Sequence, residues 1–295
     1  MEVLRANDDV RRRATQARQA GETIGLVPTM GFLHAGHRAL IERARAENGR
    51  VAVSVFVNPT QFGPTEDFAR YPRDEDRDLA LCQEAGVDWV YAPSVEELYP
   101  HGQPGTLVTP PEGLTTSLCG EFRPGHFTGV ATVVAKLFAL WGPDRAYFGL
   151  KDFQQTAVLR RMAADLCFPV ALVLAPTIRE TDGLALSSRN IYLDPAERQA
   201  ALAIPRALQA GWEQARVAGS RPSAVLEAAA RHLTGMQVQY LSLVDRDSLE
   251  PATDLGRPAV LAIAAYSGKT RLIDNVALDG PAPLALAASA QEGVA

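Results

Sequence analysis

The chain has 295 residues, 47% hydrophobic and 21% charged, a composition that excludes a fibrous or low-complexity protein and gives length enough for two domains. Its net charge of −5 offers no broad attraction to nucleic acid or to an anionic membrane, so neither is expected as a partner, while a small anionic ligand in a local basic pocket remains open. Cys82, Cys119 and Cys167 lack Cys-x-x-Cys spacing, and no apolar leader or run of about 18 apolar residues is present, so a reduced, cytoplasmic protein is expected.

Strand-like and helix-like segments alternate through the first 180 residues, the pattern of parallel strands joined by crossover helices. Strands are predicted at 24–27, 51–57, 89–92, 146–148 and 170–175, short and continuously apolar as in a sheet buried on both faces. Helices are predicted at 37–47, 75–85, 129–141 and 152–166; in the third, Val130, Val133, Val134, Leu137 and Trp141 recur at helical spacing. After Pro176 the sequence turns polar and irregular, as a functional loop or hinge does. Two Ala-rich helices at 195–218 and 222–233 and strands at 240–244, 259–265 and 270–278 then predict a smaller α+β unit. The expected fold class is thus α/β, a Rossmann-like parallel sheet over 1–178 with a smaller α+β lid domain over 179–280 and a frayed tail over 281–295.

Chemistry-bearing residues gather where the predicted strands end. "PTMGFLHAGH" runs from the first strand into a helix, a turn that aims unpaired backbone N–H groups and the positive helix end at a phosphate. His34 and His37 oppose the macrodipole there unless an anion completes the site, and Gly36 lets the backbone approach it. A zinc pair is the weaker reading, since no His-Glu-x-x-His or third ligand accompanies them. "FVNPTQF" offers Asn58 and Gln61, amides suited to hydroxyl and carboxylate groups, though isolated amides also form turns. "FGLKDFQQ" offers Lys151 as a phosphate charge with Asp152 and Gln155 as polar anchors; an ordinary helix cap at Asp152 is the plainer alternative. "LALSSRN" supplies two hydroxyls and a guanidinium in a loop that can close over a polyphosphate. "RPGHF" places Arg123 and His126 at another helix start.

In that order and spacing, together with the C-terminal "TRLIDNVAL", these motifs resemble the pantoate–β-alanine ligase (pantothenate synthetase) family, over about residues 20–280. The resemblance implies a two-step ligation: ATP and (R)-pantoate give pantoyl adenylate and pyrophosphate, and β-alanine then displaces AMP. It also implies Mg²⁺ and a cytoplasmic homodimer. Carried over by motif, ATP is assigned to Met30, Gly31, Phe32, Leu33, His34, Ala35, Gly36, His37, Gly149, Leu150, Lys151, Asp152, Ile178, Leu186, Ser187, Ser188 and Arg189. His37 is the implied proton donor, with His34, Lys151 and Arg189 spreading positive charge over the phosphates. Gln61 and Gln155 are assigned to pantoate and Gln61 also to β-alanine, with Asn58, Arg123 and His126 as secondary candidates.

Three positions depart from the family pattern: Leu150 and Cys119 stand where Glu is usual, and Arg77 precedes Asp78 where two acids are frequent. The last leaves the protein ligands of Mg²⁺ unassigned, with the metal expected to ride on ATP phosphates. The rivals are a nucleotidylyltransferase that stops after nucleotidyl transfer, against which the amide-rich "NPTQF" and "DFQQ" argue, and a nucleotide-binding regulator without catalysis.

Overall fold

Short Val- and Ala-rich segments form a six-stranded, all-parallel sheet in the computed structural model, which describes residues 1–64, 66–102 and 105–284. Two compact units emerge. Unit 1 comprises residues 1–115, 122–150 and 155–175; unit 2 comprises 116–121, 151–154 and the chain from 176. The polar segment after Pro176 therefore belongs to unit 2.

In unit 1 the strands are β1 (Glu2–Leu4), β2 (Ile24–Thr29), β3 (Arg50–Val55), β4 (Trp89–Tyr91), β5 (Arg145–Gly149) and β6 (Ala171–Ala175), in the order β1-β4-β3-β2-β5-β6. The order reverses at β2. It pairs with β3 along its whole length but with β5 only at Gly25 and Leu26, so the carboxyl ends of β2, β3 and β5 flank a switch point, where open α/β sheets bind ligands. The helices are α1 (Asn7–Gln19), α2 (Ala35–Glu47), α3 (Glu75–Glu84), the short α4 (Val95–Leu98), α6 (His126–Trp141) and most of α7 (Phe153–Asp165), while the short α5 (Cys119–Phe122) falls mostly in unit 2. Leu40, Ile41 and Ala44 of α2 recur at helical spacing and pack with Val27, Val51, Val53, Val90 and Tyr147 of the sheet. α6, buried almost all round, begins and ends on glycines in the left-handed region, Gly125 and Gly142.

Sequence patterns did not predict β1 or α1. Three residues carry too little periodicity, and the inward face of α1 is only Val10, Ala14 and Ala17 among arginines and acids.

Unit 2 carries an antiparallel meander, β7 (Gln237–Asp245), β8 (Ala259–Ser267) and β9 (Thr270–Ala277), over which α8 (Pro195–Ala201), α9 (Ala203–Gln214) and α10 (Pro222–Ala230) close a second core around Leu208, Leu261 and Ile263. The single helix expected at 195–218 is two. Pro205 has no N–H to give the carbonyl of Ala201, and the helix breaks at Leu202. Of the expected tail, Leu284 N donates to Gln209 Oε1 at 3.3 Å, and residues 285–295 lie outside the described residues.

Candidate active site

At the end of β2 the backbone turns through Gly31 and Phe32, both in the left-handed region at φ 80° and 50°. A side chain on Gly31 would come within 2.9 Å of Asp78 Oδ2 and 3.0 Å of Val55 Cγ1, so only glycine fits. Asp78, from α3 and 2% exposed, accepts from Phe32 N at 2.7 Å through Oδ2 and from Leu33 N at 2.6 Å through Oδ1. Burial pushes its carboxyl above the usual aspartate range against the pull of those two amides. The Arg77 guanidinium lies 5.0 Å from the Phe32 ring centroid.

His34 is the N-cap of α2, and its Nδ1 accepts from Gly36 N at 3.1 Å. His37 Nδ1 accepts from His34 N at 3.3 Å, closing a capping box in which both cap groups are imidazoles, stacked with centroids 4.1 Å apart. This corrects one expectation. The N–H groups of Phe32 and Leu33 are engaged by Asp78 and those of His34 and Gly36 by the two imidazoles, rather than open to an anion. Each ring turns its Nδ1 to the backbone of the loop.

After β3, Asn58 caps a 3₁₀ turn (Pro59–Gln61) and is 1% exposed. Its Oδ1 accepts from Tyr99 Oη at 3.0 Å and Thr60 Oγ1 at 2.9 Å, while its Nδ2 donates to Gln61 Oε1 at 3.1 Å and Gly129 O at 3.2 Å. Asn58 is therefore fully engaged as a support, and it turns the Gln61 NH₂ toward Met30, whose Sδ is 3.1 Å away. A side chain on Gly129 would collide with the backbone of Thr60 and Gln61, so that glycine admits the turn against α6.

Arg123 and His126 are likewise supports rather than open cations. Arg123 donates to both oxygens of Glu66, from Nε at 2.7 Å and a terminal nitrogen at 2.6 Å, and to Gln61 O. His126 Nδ1 is 2.8 Å from Gln61 O and its Nε2 3.0 Å from Arg123. Burial alone would raise the Glu66 carboxyl, but the hydrogen bonds and charge of Arg123 hold it below the usual glutamate range. Of the remaining unit 1 candidates, Gly149 ends β5 and Leu150 follows it, and Gln155 lies half-buried in the first turn of α7.

In unit 2, Ile178 and Leu186 are hydrogen-bonded neighbours, Leu186 N donating to Ile178 O at 2.9 Å, beside an isolated bridge between Arg179 and Ala185. Ser187 caps the 3₁₀ turn Ser188–Tyr192 by accepting from Arg189 N, and Ser188 is buried. Asn190 Nδ2 donates to Glu180 Oε1 at 2.6 Å and Ala185 O at 3.1 Å. Lys151 and Asp152 sit on another 3₁₀ turn (Leu150–Asp152) before α7, and the Lys151 carbonyl accepts from Asn275 Nδ2 at 2.9 Å. Cys119 is buried with its Sγ 3.2 Å from Tyr240 Oη and 3.4 Å from an Arg271 nitrogen.

Sequence reasoning missed Asp78, Glu66, Tyr99, Arg179, Asp274 and Asn275. Asp78 is hidden in "DEDRD", which reads as the solvated acidic first turn of a helix. Among the described residues no three His, Cys, Asp or Glu side chains gather as a metal site, and Asp78 has both oxygens engaged by backbone amides. Among those residues no helix is long and apolar enough to cross a membrane.

The model of the pantoate-beta-alanine ligase family matches residues 2–277. The pantothenate synthetase of Moorella thermoacetica is 52% identical over 283 residues, covering 95% of this chain and 99% of its own. The crystal structure of pantothenate synthetase from Thermus thermophilus superposes with a TM-score of 0.89 at 49% identity, covering 94% of this chain and 99% of that one. A pantoate-beta-alanine ligase from Francisella tularensis, solved with a β-γ ATP ligand and β-alanine, superposes with a TM-score of 0.78 at 31% identity over 96% of this chain and 99% of that one. With a family match over nearly its whole length and a fold shared with solved members, the chain belongs to the pantoate-beta-alanine ligase family.

Proposed function

We propose a division of labour for the reaction of this family, in which ATP and (R)-pantoate give pantoyl adenylate and pyrophosphate and β-alanine then displaces AMP to give pantothenate. The pantoate carboxylate is already a nucleophile, so adenylation needs in-line positioning and neutralisation of charge at the α-phosphate rather than an enzyme nucleophile. Gln61 and Gln155 hold pantoate, Gln61 presenting the NH₂ that Asn58 orients. The same glutamine serves β-alanine, whose amine attacks the acyl carbon as the acyl–oxygen bond to AMP breaks.

ATP is held by residues 30–37 and 149–152 and by Ile178, Leu186, Ser187, Ser188 and Arg189. The observation that carries this reading is acceptance at Nδ1 by both histidines, which fixes the His34 and His37 rings at the end of β2. An Nε2–H donor strengthens its hydrogen bond as the departing pyrophosphate oxygen gains charge, and His37 supplies that hydrogen bond as the donor of this reading. Lys151 and Arg189 supply the formal positive charge. Mg²⁺ enters as the counter-ion of ATP, bound through phosphate oxygens. The same reading places the protein in the cytoplasm as a homodimer; sedimentation of the purified protein tests the dimer.

With pantoate and Mg-ATP, His37→Ala is expected to retain the wild-type circular dichroism and lose about a hundredfold or more in pyrophosphate release, the usual effect of removing one preorganised donor. Wild-type rates in folded His37→Ala protein would overturn the role given to His37.

A further inference from the structure

Two neighbouring residues of β9 reach both nucleotide segments of unit 2. Asp274, 3% exposed, pairs with Arg179, 4% exposed, through a terminal nitrogen to Oδ2 at 2.6 Å and the other to Oδ1 at 3.2 Å. Arg179 also donates to Gly183 O at 3.2 Å and sits opposite Ala185, so this ion pair fixes to the sheet the fold of chain that ends in Leu186 and Ser187. Asn275 reaches the other way, its Nδ2 donating to the Lys151 carbonyl. The two tethers share an atom, since Asp274 Oδ1 also accepts from Asn275 N at 2.8 Å. A buried ion pair recovers its desolvation cost only in good geometry, and a carboxylate bound on both sides has little freedom to drift.

We propose that Asp274 and Asn275 are positioning residues for ATP: they hold Lys151 and the Ser187–Arg189 turn in the one register that binds the nucleotide, without touching it. This rests on the reading that Lys151 and that turn bind ATP. In that reading the Lys151 ammonium is useful only if its own backbone is fixed, because a misplacement of about 1 Å costs on the order of a hundredfold.

The test is ATP saturation kinetics of the full chain carrying Asn275→Asp or Asn275→Ala, beside Lys151→Ala as control, with pantoate and β-alanine saturating and the fold followed by circular dichroism. Asn275→Asp keeps the side-chain shape but cannot donate to a carbonyl, so it separates the tether from packing. Both Asn275 variants are expected to raise KM for ATP roughly fivefold to tenfold, the worth of one hydrogen bond, and to leave KM for β-alanine unchanged. Asp274→Asn, which weakens the ion pair, is expected to raise KM for ATP at least as much. If Lys151→Ala raises KM for ATP while Asn275→Asp does not, the positioning role is overturned and the ATP assignment stands. If Lys151→Ala leaves KM for ATP at its wild-type value, the ATP assignment falls and the positioning role with it.

Discussion

Two of the three segments assigned to ATP are each held by one buried aspartate, and the two are held differently. Asp78 grips residues 32 and 33 by accepting their own amides, and the charge it buries is opposed only by dipoles and by its neighbour Arg77. Asp274 grips the loop after Pro176 through a guanidinium that is itself buried and whose Nε has no partner among the described residues. The difference teaches what each loop can tolerate. A grip through backbone amides depends on one carboxylate and asks for no side-chain partner from residues 32 and 33, as suits a stretch that must present Met30, His34 and His37. A loop held by an ion pair fails from either end, because the survivor is left charged in an apolar surround.

The largest effect expected from this contrast is for Asp274→Ala, which strands the Arg179 guanidinium and should lower unfolding free energy by about 3–5 kcal/mol in urea denaturation. Asp78→Ala leaves two buried amides without their acceptor and should cost less, about 2–3 kcal/mol, since no charge is stranded. Equal losses would break the comparison. Gly31→Ala should cost about 1–2 kcal/mol, from the left-handed backbone and the approach to Asp78 Oδ2 and Val55 Cγ1.

The smallest and most discriminating effect is in pH. The Asp78 carboxyl is raised in the folded protein, so the folded state binds the proton more tightly than the unfolded chain does. Its contribution is fully present below the unfolded value of about 3.9 and is lost as pH rises through the folded value. The stability gap between wild type and Asp78→Asn should therefore narrow from acid toward neutral pH. Glu66 is lowered and behaves oppositely: its contribution is present above the unfolded value of about 4.3 and is lost as pH falls through the folded value. The gap between wild type and Glu66→Gln should widen toward neutral pH. Urea midpoints measured across that range check both, and gaps that move in the same direction would contradict the electrostatics assigned to Asp78 and Glu66.

The sheet was legible because its strands are continuous apolar runs bounded by turns, and β2, β3 and β5 fall within one or two residues of their predicted starts. The candidate site residues were legible because they cluster at strand ends in ordered motifs. What those residues do was less so. Nothing local distinguishes Asn58 or Arg123, which support Gln61, from residues that face a ligand, because the distinction rests on Tyr99, Glu66 and Gly129, distant in sequence. Which ring nitrogen of His34 and His37 the backbone reaches is a matter of dihedral angles that no spacing encodes. The helix break at Leu202 was visible in principle, since Pro205 stands in the sequence; the Ala-rich pattern around it masked the signal.

The central claim is that pantoate is activated as an adenylate, and the fate of its carboxylate oxygen tests this most directly. With oxygen-18 in the pantoate carboxylate, Mg-ATP and β-alanine, attack on the α-phosphate followed by acyl transfer must leave one labelled oxygen in AMP. Mass spectrometry of the nucleotide is predicted to find that label in AMP with unlabelled pyrophosphate. Unlabelled AMP, or ADP with the label in inorganic phosphate, would contradict the account.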